Sequence, residues 1–182
     1  FDNSRDAMGI ALKYLGYSLN TTDQTQLAEA AALLEKQKPL LQGYVMDEIF
    51  DKMESGEAAI GAYYAGDYLT MHESNPNLKF CIPKEGSNVF VDSMCVLKGA
   101  QNKDNAEAFI NYMTGTEQSK KNAEFIGYTS PNKEVKDRMD LDELAMSVRY
   151  PDAAKLAKCE SFINLPQETL DYYDSMWVKL KS

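Results

Sequence analysis

Short β-prone apolar runs alternate with helix-patterned segments along this chain, and that alternation restricts the fold more than any other feature. The runs are "LLQGYVM" (40–46), "EAAIGAYYAG" (57–66), "LKFCIP" (78–83) and "NVFVDSMCVL" (88–97). Strands separated by helices are joined by crossovers, so the pattern predicts an α/β fold built on a sheet. The helical segments carry their own signals. In "NSRDAMGIALKYLGY", Ala7, Met8, Ala11, Leu12 and Leu15 recur at helical spacing, with Asn3 or Ser4 as the cap and Gly16 as the stop. In "TTDQTQLAEAAALLEKQKP", Thr22 or Asp23 caps the start and Pro39 ends the helix. Further helices are expected over 47–56 with Asp47 as cap, over 67–76, over 102–115 and over 116–127. A closing amphipathic helix over 166–181 has Pro166 at its first turn.

The formal net charge of −9 repels phosphates and argues against a nucleic-acid partner. It is compatible with a cationic ligand, although acidity for solubility alone is the commoner reason for such a charge. The cysteines Cys81, Cys95 and Cys159 are an odd number with no CxxC spacing, so no zinc site is expected. Cys81 and Cys95 lie in strand-like runs and read as small buried hydrophobes rather than as a disulfide. No run approaches the roughly 18 apolar residues of a membrane span. The abrupt start at Phe1 reads as a mature or trimmed chain.

Catalytic chemistry finds little support. The single histidine, His72, stands beside Glu73 in a polar segment and reads as a solvated surface residue. Without a second histidine, a Ser–His–Asp or Cys–His arrangement has no base. No glycine-rich phosphate loop occurs, and no cofactor is implied. The pairs Asp2 and Asp6, or Asp47 and Glu48, leave a carboxylate-type hydrolase as a minor alternative.

Aromatic residues near carboxylates say more. Tyr63 and Tyr64 end a small-residue run, Tyr128 follows Gly127 at a helix terminus, and Phe90 stands two positions before Asp92. Each ring has a bland alternative, which is to pack the core. On a strand, however, side chains at i and i+2 share a face. A carboxylate beside a ring suits an alkylammonium ion: the charge offsets desolvation and the ring adds about 0.5–2 kcal/mol.

In "DNSRDAMGIALKYLGYSLNTTD", "GEAAIGAYYAGD", "PKEGSNVFVDSMCVLKGAQNKDNAEAFINYM", "EFIGYTSPN" and "YPD", taken in order, the chain resembles the spermidine/putrescine-binding proteins of bacterial ABC transporters. The resemblance covers essentially the whole sequence. It implies a type II periplasmic-binding-protein-like α/β fold, of which this chain holds the second lobe plus a segment of the first. Residues 1–91 and 138–182 would form the second lobe, and 92–137 the excursion to a first lobe whose leading segment is absent. The family's "D-D-x-R-E" motif falls on Asp2 to Asp6, with Asn3 and Asp6 at positions that the family fills with acids. Its cleft aromatics match Tyr64 and Tyr128, and its aromatic-x-Asp pair matches Phe90 and Asp92. Phe162 and Ile163 stand where some members place a polar residue after an aromatic. The resemblance thus implies a non-enzymatic, extracytoplasmic polyamine receptor, periplasmic or tethered at the surface, that works with a membrane permease. A receptor of the same fold for another small solute is the alternative. For this chain alone, the apolar faces of 92–137 lead to an expectation of self-association.

Overall fold

The computed structural model describes residues 1–182. Ten α-helices follow one another in chain order. They are α1 (Ser4–Tyr14), α2 (Gln24–Gln37), α3 (Ile49–Glu54), α4 (Ala65–Ser74), α5 (Lys103–Thr114), α6 (Thr116–Ile126), α7 (Lys133–Arg138), α8 (Glu143–Arg149), α9 (Ala153–Leu156) and α10 (Gln167–Lys181). Pro39 falls in a single 3₁₀ turn, Lys38–Leu40, that closes α2. The helix ends obey local chemistry. Asn3 caps α1 through its side chain, Asp23 caps α2, and Asn132 caps α7. Gly16 and Gly127 follow α1 and α6 with φ of +80° and +77°, a conformation open to glycine at no steric cost.

The expected strands do not pair into a sheet. Residues 41–45, 58–64, 78–83 and 89–97 run without a ladder, and one parallel bridge joins Asn88 to Glu160. A strand, unlike a helix, completes its hydrogen bonds only on a neighbour, so β-prone residues alone do not create one. The burial expected of "NVFVDSMCVL" is likewise not observed: Val91 and Leu97 are both 79% exposed. Cys81 and Cys95 are exposed free thiols rather than buried hydrophobes, because the runs that carry them have no covering layer. Asp47 does not cap the following helix; α3 starts after Glu48, and Asp47 accepts a bond from Tyr63 instead. The segment 143–156 forms α8 and α9, capped by Asp142 and Asp152.

The chain divides into two compact units: residues 1–63, 81–90 and 152–182, and residues 64–80 and 91–151. This grouping differs from the expected partition by placing 64–80, Val91 and 138–151 with 92–137. In the first unit α1, α2 and α10 pack together around Met8, Leu12, Leu27, Leu34, Tyr173 and Leu180. Leu12 and Leu27 are wholly buried, which stabilises the unit by about 1.5–3 kcal/mol each. In the second unit α4 packs on α8, and α6 packs on both α5 and α7. Tyr68, Met71, Ala123, Val135 and Val148 supply its buried side chains. The guanidinium of Arg149 donates to the Ala123 carbonyl (3.0 Å) in the last turn of α6, where a cation also meets the negative end of the helix dipole. No helix is long and apolar enough to cross a membrane.

Candidate functional site

In the first unit the sequence places its candidate acid on the opening turn of α1. Asn3 Oδ1 accepts from the backbone N–H groups of Arg5 (3.0 Å) and Asp6 (3.1 Å). Both bonds serve the cap, so what Asn3 does here is fix the turn that carries Asp6. Asp6 stands in the first turn of α1, and Asn88 Nδ2 donates to its Oδ1 (3.1 Å). Asn88 stands two residues before Phe90. Its segment is tied to residue 160 by Val89 N–H donating to Glu160 O (2.9 Å) and Glu160 N–H donating to Ser87 O (3.0 Å). Phe90 keeps 42% of its surface exposed.

Residue 160 is anchored in turn. The Glu160 carboxylate accepts from Lys13 Nζ (2.9 Å), from the Ser18 hydroxyl and from the Leu19 N–H (3.5 Å). Partial burial alone pushes its carboxyl up. The bonds from Ser18 and Lys13, and the Lys13 charge, outweigh burial and hold it below the usual carboxylate range. The guanidinium of Arg5, next to Asp6, lies over two aromatic rings. Its guanidinium carbon lies 4.6 Å from the centre of the Phe162 ring and 5.4 Å from that of Tyr173. Arg5 donates to Asn20 Oδ1 (3.2 Å), and Asn20 holds the 161–163 backbone through Ile163 N–H (3.0 Å) and Ser161 O (2.8 Å). The opening of α1, the 87–90 segment and the 160–163 segment therefore form one bonded assembly. Ile163 itself is 59% exposed.

Tyr63, the last residue of this unit's first stretch, is fixed by its neighbours. Its hydroxyl donates to Asp47 Oδ1 (2.9 Å), while its ring stacks on Phe1 (centroids 5.7 Å apart) and meets Phe50 edge-on (6.0 Å).

In the second unit Tyr64 occupies the N-cap position of α4 in extended conformation (φ −80°, ψ 146°), and its carbonyl accepts from Tyr68 N–H (3.2 Å). Tyr128 follows the left-handed Gly127, and its ring lies directly over Gly66 in the first turn of the same helix. The unit thus brings Tyr64 and Tyr128 to one helix end. Asp92 lies in the extended 91–97 run with its side chain exposed. The unit boundary falls between Phe90 and Val91, so the pair expected on one strand face belongs to two units. His72 is half-buried rather than solvated, with Nδ1 3.2 Å from the Leu78 carbonyl, because the turn at 75–78 folds back over it. A polar depression of about 270 Å³ at the start of α5, lined by Gln101 to Asn105, contains none of the six candidate residues.

Sequence reasoning singled out Asn3, Asp6, Tyr64, Phe90, Asp92 and Tyr128 but missed Arg5, Asn20, Asn88 and Gly66. Arg5 stood within the quoted motif as a cation between two acids, Asp2 and Asp6. Asn20, Asn88 and Gly66 act across long sequence separations and left no signal.

Residues 1–155 match the family model of bacterial extracellular solute-binding proteins. Among characterised relatives, the spermidine/putrescine-binding periplasmic protein of Salmonella typhimurium is 29% identical over 181 residues, covering 100% of this chain and 52% of the relative. The putrescine/cadaverine-binding protein of Pseudomonas aeruginosa is 25% identical, over 99% of this chain and 52% of that protein. A solved structure, a putative spermidine/putrescine ABC transporter from Listeria monocytogenes, superposes with a TM-score of 0.91 at 34% identity. It covers 99% of this chain and 56% of that one. The spermidine/putrescine substrate-binding protein PotD from Streptococcus pneumoniae gives 0.86 at 34% identity, over 100% of this chain and 56% of that one. The chain thus spans about half the length of the relatives it matches.

Proposed function

This chain belongs to the bacterial extracellular solute-binding proteins, and on that premise we propose that it is part of a polyamine receptor of an ABC importer. The observation that carries the reading is similarity along the whole chain to relatives named for spermidine, putrescine and cadaverine. The candidate residues have the matching chemistry. A slender polycation needs carboxylates for its ammonium groups and rings for its methylene stem. Asp6 and Asp92 supply the acids, and Tyr64, Phe90 and Tyr128 supply the rings. Asn3 contributes by holding the turn that presents Asp6.

In this reading the fold is type II periplasmic-binding-protein-like, and the chain contributes to both lobes. Residues 1–91 and 138–182 belong to the second lobe in this reading, and 92–137 make the excursion to the first. The ligand binds between lobes, and closure on it creates the form that a membrane permease accepts. The protein works outside the cytoplasm and releases its ligand unchanged, as a receptor rather than an enzyme. Ile163 favours one second reading, a same-fold receptor for a different small solute. This exposed position is apolar where the resemblance implies a polar contact.

Calorimetry on the full natural chain, with spermidine, putrescine, cadaverine, a sugar and an amino-acid panel, tests both readings. Tight binding of a polyamine alone supports the first. Tight binding of a sugar or amino acid, with none of polyamines, replaces it by the second.

A further inference from the structure

The contact between Gly66 and Tyr128 is closer than any residue with a side chain at position 66 could tolerate. A Cβ placed on Gly66 would stand 2.3 Å from Cε2, 2.4 Å from Cδ2 and 2.6 Å from Cζ of the Tyr128 ring. Carbon atoms in contact settle at about 3.5–4.0 Å, so even one methyl group displaces the ring. The demand is not one of backbone conformation, since Gly66 lies within α4 and has no positive φ. The opposite side of the contact is equally tight. A Cβ on Gly127 would fall 2.7 Å from the Gly66 carbonyl oxygen, at a position whose φ of +77° already favours glycine. Two backbones therefore touch at residues 66 and 127, and the Tyr128 ring closes over the seat they form. Gly66 and Gly127 are both buried, while Tyr128 keeps a partly exposed face.

We infer that Gly66 is a positioning residue for ligand binding: its missing side chain seats the Tyr128 ring at the helix end that Tyr64 opens. The inference rests on the reading of Tyr64 and Tyr128 as ring contacts to a polyamine. Gly66 touches no ligand. It fixes the location of a ring that does, and thereby the spacing between two aromatic walls that an alkylammonium chain would meet.

A double-mutant cycle on the full natural chain tests this, with Gly66→Ala, Tyr128→Ala and the double variant. Polyamine affinity is read by calorimetry and stability by thermal unfolding. Gly66→Ala is expected to weaken spermidine or putrescine binding about 10-fold, within the range of a lost ring–cation contact. In the Tyr128→Ala background the same substitution is expected to cost nothing further. Gly66→Ala should also lower the melting temperature, and removal of the ring in the double variant should raise it again. Affinity within twofold of the parent for Gly66→Ala, or an equal loss in both backgrounds, overturns the inference. If Gly66→Ala does not fold, the stability of the double variant decides: recovery supports the seat and continued unfolding overturns it. If the parent binds no polyamine, the proposed function fails while the stability arm still decides the packing.

Discussion

Arg5→Met removes a guanidinium while keeping most of its apolar stem, and the cost can be worked from the contacts. Of the three oxygens within reach, Asn20 Oδ1 at 3.2 Å is well placed, whereas Leu19 O at 3.4 Å and Ile163 O at 3.5 Å are long. One good bond from a charged donor is worth about 1.5–3 kcal/mol net. The Phe162 and Tyr173 rings, at 4.6 and 5.4 Å, add about 0.5–1 kcal/mol each for a partly exposed cation. Asn20 keeps its bonds to Ser161 and Ile163, and water reaches the carbonyls that lose the guanidinium, which offsets part of the loss. The expected destabilisation is about 2–4 kcal/mol, with Arg5→Lys costing less because it retains the charge but not the planar fork. Trp177, the only tryptophan, reports on this unit through its edge-on contact with Tyr44 (4.9 Å). Urea unfolding followed by its fluorescence measures the effect as a shifted midpoint. A loss below about 0.5 kcal/mol, the size of an ordinary surface change, refutes the assignment of Arg5 as the clamp of the 161–163 segment.

In the full natural chain, Asp92→Asn is expected to weaken polyamine binding by about 2–5 kcal/mol with little effect on melting temperature; calorimetry showing affinity within twofold of the parent removes Asp92 from the site. Glu160 has a depressed carboxyl, so its contribution to stability is complete above the unfolded carboxylate range, near pH 4.3, and is lost as pH falls through its lower folded value. Glu160→Gln should therefore lower stability at neutral pH and flatten its decline below about pH 5; denaturant titrations that keep the parental slope count against it. This chain alone is expected to self-associate through 92–137, where Phe109 is 58% and Tyr112 61% exposed on α5, a helix with no buried residue. Light scattering that finds a strict monomer at all concentrations contradicts that expectation.

Seven of the ten helices, α1 to α6 and α10, were legible in the sequence because their hydrogen bonds and caps lie within one short segment, whereas the short α7, α8 and α9 were not expected. Asn3 and Asp23 act on N–H groups two or three residues away, and Gly16 and Gly127 stand within two residues of the ends of α1 and α6. The amphipathic face of α1 likewise follows from spacing alone, down to Met8 and Leu12 in the core. The candidate residues were legible as types, acids and rings of a kind that suits a cation. What tertiary structure decided lies between distant segments. Whether Val91 and Leu97 are covered, and whether a β-prone run pairs, depends on partners that a run does not carry. The bonds of Asn88 to Asp6 and of Asn20 to Ile163 span 82 and 143 residues. Gly66 read locally as the end of a strand, yet its role is set by a ring 62 positions later that occupies the volume a side chain would need. Local interactions leave their signature in neighbouring letters, whereas steric exclusion between distant segments leaves none.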